Sequence, residues 1–181
     1  IRLSLVGSEM CIRDRSISPT NSLTADGAAT AQIQLVLRDQ NGNPITHSSA
    51  AIALHADFGN LQYTNTNGHV TGTLTSTQSG DDTVRFSIGG SLSPNTGMVT
   101  FIAGPPDASK SNIALRAPGS STTGSPQSVA DGTSPLVATV TLRDQYGNRI
   151  LHGGDAVTIA TSLGAVGPVT DNDDGTYTAN I

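Results

Sequence analysis

The sequence predicts an all-β protein built as tandem antiparallel β-sandwiches, and three observations carry that prediction. The first is internal repetition. Ala25-Asp26-Gly27 returns as Ala130-Asp131-Gly132, and LRDQNGNPI from Leu37 to Ile45 returns as LRDQYGNRI from Leu142 to Ile150. Both intervals are 105 residues, and the register still holds at Gly59 and Gly164. Segments kept in register over such a length are a duplicated structural unit. The second is apolar alternation of period two, which marks half-buried strands. The third is composition. After position 15 the chain has twelve Asp and no Glu, beside many Thr, Ser, Gly and Val. Asp bonds to its own backbone and favours turns, whereas Glu favours helix interiors.

Taken in order, a weak opening strand is expected near Ile17. The run Ala31–Asp39 places Ile33, Leu35 and Leu37 on one side and Gln32, Gln34, Val36 and Arg38 on the other. Its repeat places Ala138, Val140 and Leu142 against Thr139, Thr141 and Arg143. Each run ends in DQ-x-GN, where Gly42 and Gly147 supply the positive φ of a tight turn. A strand at Ala51–Ala56 turns Ile52 and Leu54 inward, with Val157 and Ile159 as counterparts. Gly59 and Gly164 mark the next reversal, and a short strand follows near Leu61–Tyr63. The next strand carries Val70 and Leu74, answered after a two-residue insertion by Tyr177 and Ile181. Thr83–Ile88 and Met98–Ala103 complete the first copy, about seven strands with a turn every ten residues or so. That spacing is the mark of a two-sheet sandwich. Ile33, Leu35, Leu37, Ile52, Leu54, Val84, Phe86 and Phe101 are expected to share one core.

These readings divide the chain into four parts. Residues 1–15 hold the single Cys (Cys11), the single Glu (Glu9) and three of the nine basic residues. They resemble translated adapter sequence and lack the apolar core of a signal peptide, so they are expected to be a non-native leader. Residues 16–103 form a complete domain. Residues 104–110 form a Pro-containing linker, stiffened by Pro105 and Pro106. Residues 111–181 form a second domain that lacks counterparts of the last two strands, so the chain is expected to be a fragment.

Residues 16–181 carry six basic residues against the twelve Asp. Nucleic acid requires clustered Lys and Arg, and a basic membrane-surface patch fails for the same reason. No apolar run approaches the eighteen or so residues of a spanning helix, so direct membrane insertion by this segment is not expected. Outside the leader the absence of Cys excludes thiol catalysis and a disulfide scaffold.

The combination of motifs resembles the bacterial immunoglobulin-like domain, group 1, the repeat of intimin- and invasin-type adhesins. The residues that carry it are Asp26, Gly27, Leu37, Arg38, Asp39, Gly42, Asn43, Gly59, Phe101, Ala103, Gly104, Pro106 and Asp107. In the second copy they are Asp131, Gly132, Leu142 to Gln145, Gly147, Asn148, Gly164, Gly175 and Tyr177. The first copy departs from the pattern with Gly68-His69-Val70-Thr71 where Gly-Thr-Tyr-Thr is expected. The resemblance implies immunoglobulin-like sandwiches, a place outside the cell on a bacterial surface, outer-membrane anchoring through other parts of the protein, and a spacer role in adhesion. It also implies neighbouring repeats as partners, with any host or bacterial receptor held by a tip domain outside this segment.

No catalytic, cofactor-binding or metal-ligating residue is assigned, and no cofactor is expected. Asp171-Asn172-Asp173-Asp174-Gly175 offers clustered oxygens but lacks the EF-hand's closing Glu, and a hairpin turn explains it better. Asp39 to Asn43 reads as a capped turn. His47, His55, His69 and His152 are not at metal spacing. No nucleophile elbow or phosphate loop is present. Arg38 and Arg143 are expected to be exposed and paired with a nearby Asp. A non-enzymatic adhesin stalk segment is therefore the leading reading. An accessory module of an extracellular polysaccharide-acting enzyme is the alternative. Direct carbohydrate binding would need exposed aromatics, and only Tyr63, Tyr146 and Tyr177 are candidates.

Overall fold

The structure, a computed structural model, describes residues 14–39, 41–45, 51–117 and 126–181. Glu9, Cys11 and His47 lie outside these. Every regular element among the described residues is a strand. The chain forms two compact units, Ile1–Ile102 and Ala103–Ile181.

The first unit holds β1 (Asp14–Ser18), β2 (Leu23–Thr24), β3 (Ala31–Val36), β4 (Ile52–His55), β5 (Asn60–Thr66), β6 (His69–Thr75), β7 (Gly80–Ile88), β8 (Ser91–Leu92) and β9 (Gly97–Ile102). One sheet runs β1-β3-β6-β5 and the other β2-β9-β7-β4, with β8 on β7. All pairs are antiparallel except β2 with β9, where Leu23 lies opposite Phe101. Alternation decides which side is buried. Ile33, Leu35, Leu37, Ile52, Leu54, Val84, Phe86 and Phe101 join Val70, Leu74 and Val99 in one core, while Gln32 and Gln34 face solvent. The register expected from sequence therefore holds; a slip of one residue would have inverted every strand.

The ladder begins inside the segment set apart by composition. Asp14 lies opposite Val36 and Arg15 opposite Leu35. A Cβ on Gly97 would meet Ile17 Cδ1 at 2.4 Å and Arg15 Nε at 3.1 Å, so β1 lies close over the start of β9. Gly59, expected at a simple reversal, does a different job. A Cβ there would meet Asp82 Oδ2 and Leu74 Cδ1, each at 2.6 Å. Close approach demands glycine at this position, whereas Gly164 stands in open space with φ +84 and serves a positive-φ turn.

The second unit holds β10 (Asn112–Arg116), β11 (Val137–Thr141), β12 (Thr170–Asp171) and β13 (Thr176–Asn180), paired in the order β10-β11-β13-β12. The two-residue insertion is visible in the ladders. Leu35 faces Val70, and its repeat Val140 faces Tyr177. The strand expected at Val157 and Ile159 is not formed. In the first unit β4 pairs with β7, whereas residues 157–159 pair with no strand among the described residues. Ile159 still packs on Ala138 and Ala179, but without a ladder.

Candidate functional site

The two units share one corner in detail, and it is the most elaborately built polar feature of the chain. At the end of β3, Asp39 N–H donates to Asn43 O at 2.9 Å and Gly42 N–H to Asp39 O at 3.0 Å; the repeat gives 3.0 Å for Asp144 to Asn148 and 2.9 Å for Gly147 to Asp144. Asp39 Oδ1 accepts the Asn41 and Asn43 N–H groups, and its Oδ2 accepts Asn43 Nδ2. Asp144 repeats this with Tyr146 N–H, Asn148 N–H and Asn148 Nδ2. Gly42 and Gly147 have φ of +86 and +87, in the left-handed region where other residues are strained. Arg38 and Arg143, expected to be exposed, are half-buried, and Nη1 of each donates to the turn carbonyl of Gly42 (2.8 Å) or Gly147 (2.7 Å). A guanidinium folded onto an oxygen four residues on closes the turn from outside.

A second repeated corner follows the Ala-Asp-Gly motif. Asp26 Oδ1 caps Ala28 and Ala29 N–H, and Asp131 Oδ1 caps Thr133 and Ser134 N–H. Both carboxyls sit below their ordinary pKa, led by those backbone donors.

The two Asp-capped turns differ in one respect. Asp144 is fully buried, whereas Asp39 is half-buried. What covers Asp144 is the segment read from sequence as a linker. Gly104 N–H donates to Asp144 Oδ2 at 3.0 Å, Asp107 N–H donates to Arg143 O at 2.7 Å, and Pro106 bridges to Asp144. Ser111 Oγ accepts Arg143 N–H at 3.0 Å and donates to Asp107 O at 2.8 Å. Burial pushes the Asp144 carboxyl up, but the Asn148, Gly104 and Tyr146 donors together hold it below the usual value. Sequence reading missed this, because the bonds that seat the segment on Arg143 and Asp144 join residues more than thirty positions apart.

The acidic run at Asp171 is a hairpin corner between β12 and β13. Asn172 N–H bonds Thr176 O, Asp171 caps Asp173 and Gly154 N–H, and Asp174 caps Thr176 N–H. The arrangement is that expected of a turn. Gly175 lies against the Ile150 backbone, where a Cβ would come within 1.9 Å of the carbonyl oxygen. Tyr177, expected as a possible surface aromatic, is buried, and its hydroxyl accepts Asp155 N–H at 2.9 Å. Burial, first, raises its phenol above the ordinary value. A shallow groove of about 450 Å³ runs between Ile113, Val140 and Leu142 on one side and Val157 and Ile159 on the other.

Little reactive chemistry is assembled. Among the described residues no group of three or more His, Cys, Asp or Glu is placed to hold a metal ion. His55 Nε2 lies 3.1 Å from Ser87 Oγ, and His152 Nδ1 lies 3.0 Å from Gly153 O. His47 falls outside the described residues. Arg85 pairs with Asp57, and Arg149 with Asp174 at 3.2 Å. Such exposed pairs contribute roughly 0–1 kcal/mol. Tyr63 and Tyr146 are exposed, one in each unit.

Known proteins resolve what this architecture is. Invasin, a bacterial integrin-binding protein, matches over 94% of the chain at 26% identity and a TM-score of 0.58. InvD of Yersinia pseudotuberculosis matches over 92% at 29% identity with a TM-score of 0.62. The Escherichia coli adhesin FdeC, at 19% identity and a TM-score of 0.53, shows the same fold. The chain spans 35%, 48% and 56% of these structures' own lengths. The family model for invasin, domain 3, matches residues 15–104 and again 117–181. With most of its length so matched, the chain belongs to the invasin domain 3 family of immunoglobulin-like domains.

Proposed function

We propose that this chain is a non-enzymatic spacer segment in the extracellular stalk of a bacterial surface adhesin, and that receptor binding is carried by other parts of a longer protein. The observation that supports this best is the duplication of the same Asp-capped corner in both units, each matched by the family model for invasin, domain 3. Repetition of a turn builds length and stiffness; it does not build a pocket. The adhesin neighbours point the same way. Residues 1–15 are proposed to be foreign to the stalk except where Asp14 and Arg15 complete β1. Direct carbohydrate binding gains little from the geometry, because exposed Tyr63 and Tyr146 belong to different units and Tyr177 is buried.

Surface display tests the proposal. Placed between an outer-membrane anchor and an unrelated reporter binder, one copy of the chain should move the reporter outward and leave its Kd unchanged, and a second copy should move it further. Saturable binding of the purified chain to host cells, or a changed reporter Kd, would assign it a recognition role instead.

A further inference from the structure

The segment joining the units reads from sequence as a Pro-stiffened linker of seven residues, 104–110. Its hydrogen bonds describe something else. β9 ends at Ile102, and Gly104 is already bonded to Asp144 of the second unit. From there to Ser111 the segment is held by the Pro106 bridge, by Asp107 N–H on Arg143 O, and by the Ser111 hydroxyl, which joins Arg143 N–H to Asp107 O. Asp107 also caps Ser109 N–H at 2.7 Å and accepts Ser111 and Lys110 N–H on its carbonyl. From Gly104 to Ser111 the segment is thus bonded within the second unit at several points.

We infer that the DQ-x-GN turn of the second unit is a seat for the incoming connection, and that Asp144 is the positioning residue that holds it. Two consequences follow. The connection is part of the second unit, fastened to it from Gly104 to Ser111. The carboxylate also has two separable tasks. Asp144 Oδ1 closes the turn through Tyr146 and Asn148 N–H, while Oδ2 faces Gly104 N–H and Asn148 Nδ2. Only the second task concerns the connection. The inference rests on the geometry of the second unit and is independent of the adhesin reading. The same Arg-Asp pair recurs as Arg38-Asp39, which gives each repeat the residues for such a seat.

The separability of the two oxygens supplies the test. Asp144→Asn, with its carbonyl oxygen kept at the turn amides, replaces Oδ2 by an NH2 group that can accept from neither Gly104 N–H nor Asn148 Nδ2, while the backbone amides of the turn keep their acceptor. Ser111→Ala removes the bridging hydroxyl without touching the turn. Amide exchange on the full 181-residue chain should show Gly104 and Asp107 at least tenfold slower than in a free peptide of residues 103–111. Asp144→Asn should speed Gly104 at least tenfold while the Tyr146, Asn148 and β11 amides keep their rates, and Ser111→Ala should do the same to Asp107. Peptide-like exchange at Gly104 in the parent chain would overturn the inference. So would equal acceleration of all amides of the second unit, which would leave Asp144 a purely structural role.

Discussion

Asp82 is the residue whose loss should cost the first unit most for its size. It is fully buried in β7, and its two oxygens each accept one backbone N–H across the sandwich, from Asp57 and from Gly59, both at 2.7 Å. Asp82→Ala leaves both donors without their acceptor. An orphaned donor costs about 1–3 kcal/mol, toward the lower end where water can enter. Asp57 is exposed and Gly59 half-buried, so the pair together should cost about 3 kcal/mol. Against the 5–15 kcal/mol that stabilises a typical domain, this is a large fraction. At roughly 4–8 °C per kcal/mol for a unit of this size, the melting midpoint should fall by about 12–24 °C. Asp82→Asn should lose about half as much, because its NH2 can accept from neither amide while its oxygen serves one. The neighbouring Asp81 is the control. It is exposed and accepts only Thr100 Oγ1 at 2.6 Å, so Asp81→Ala should cost less than about 1 kcal/mol. Calorimetry and urea titration followed by circular dichroism read the first-unit transition. A loss from Asp82→Ala no larger than that from Asp81→Ala would refute the assignment of Asp82 as an internal tie.

Glycine substitutions should separate strain from collision. Gly147→Ala, at φ +87 with open space around it, should cost about 1–2 kcal/mol by urea titration, whereas Gly175→Ala, at φ +77 with the Ile150 carbonyl 1.9 Å from the new Cβ, should abolish the cooperative transition of the second unit. Tyr177→Phe leaves Asp155 N–H without its 2.9 Å acceptor and should destabilise the second unit by about 1–2 kcal/mol in the same assay. The pH dependence follows from lowered carboxyl pKa values at Asp26, Asp39, Asp131 and Asp144. Groups depressed in the folded state stabilise it fully above the unfolded value of about 3.9, and that contribution is lost as pH falls through the lower folded values. The chain should therefore melt progressively earlier below about pH 4, with a shallower decline in Asp144→Asn. In the 181-residue chain the second unit should also melt before the first, because its buried apolar residues fall into two small clusters rather than one continuous core.

Alternation made the first core legible, because a strand shows its inward side to anyone who counts by two. The same rule would have found Asp82. It lies on the parity of Val84 and Phe86, and the strand simply starts three residues earlier than its apolar residues suggest. The repeated corners were legible as turns, since Asp and Gly at fixed offsets are local signals. The guanidinium of Arg143 and the connection folded onto Asp144 were not, because their partners are set by tertiary approach. The same limit applies to Val157 and Ile159. Their alternation is clear, but a ladder needs a partner strand, and periodicity says nothing about whether one is present.

The aspartates tie these threads together. Of the twelve after position 15, eight accept at least one backbone N–H: Asp26, Asp39, Asp82, Asp107, Asp131, Asp144, Asp171 and Asp174. Most reach amides only two to four positions away. A carboxylate on a single methylene fits that reach, and one on two methylenes overshoots it, which accounts for a body with abundant Asp and no Glu. With 3% aromatic residues and no cysteine outside the leader, the chain has few large rings and no disulfide between its domains' strands to pin its corners. Capped turns do that work instead. An acidic composition that could suggest ion binding is, residue by residue, the fastening of a repeated β-sandwich, and a module fastened at its corners is what a stalk requires.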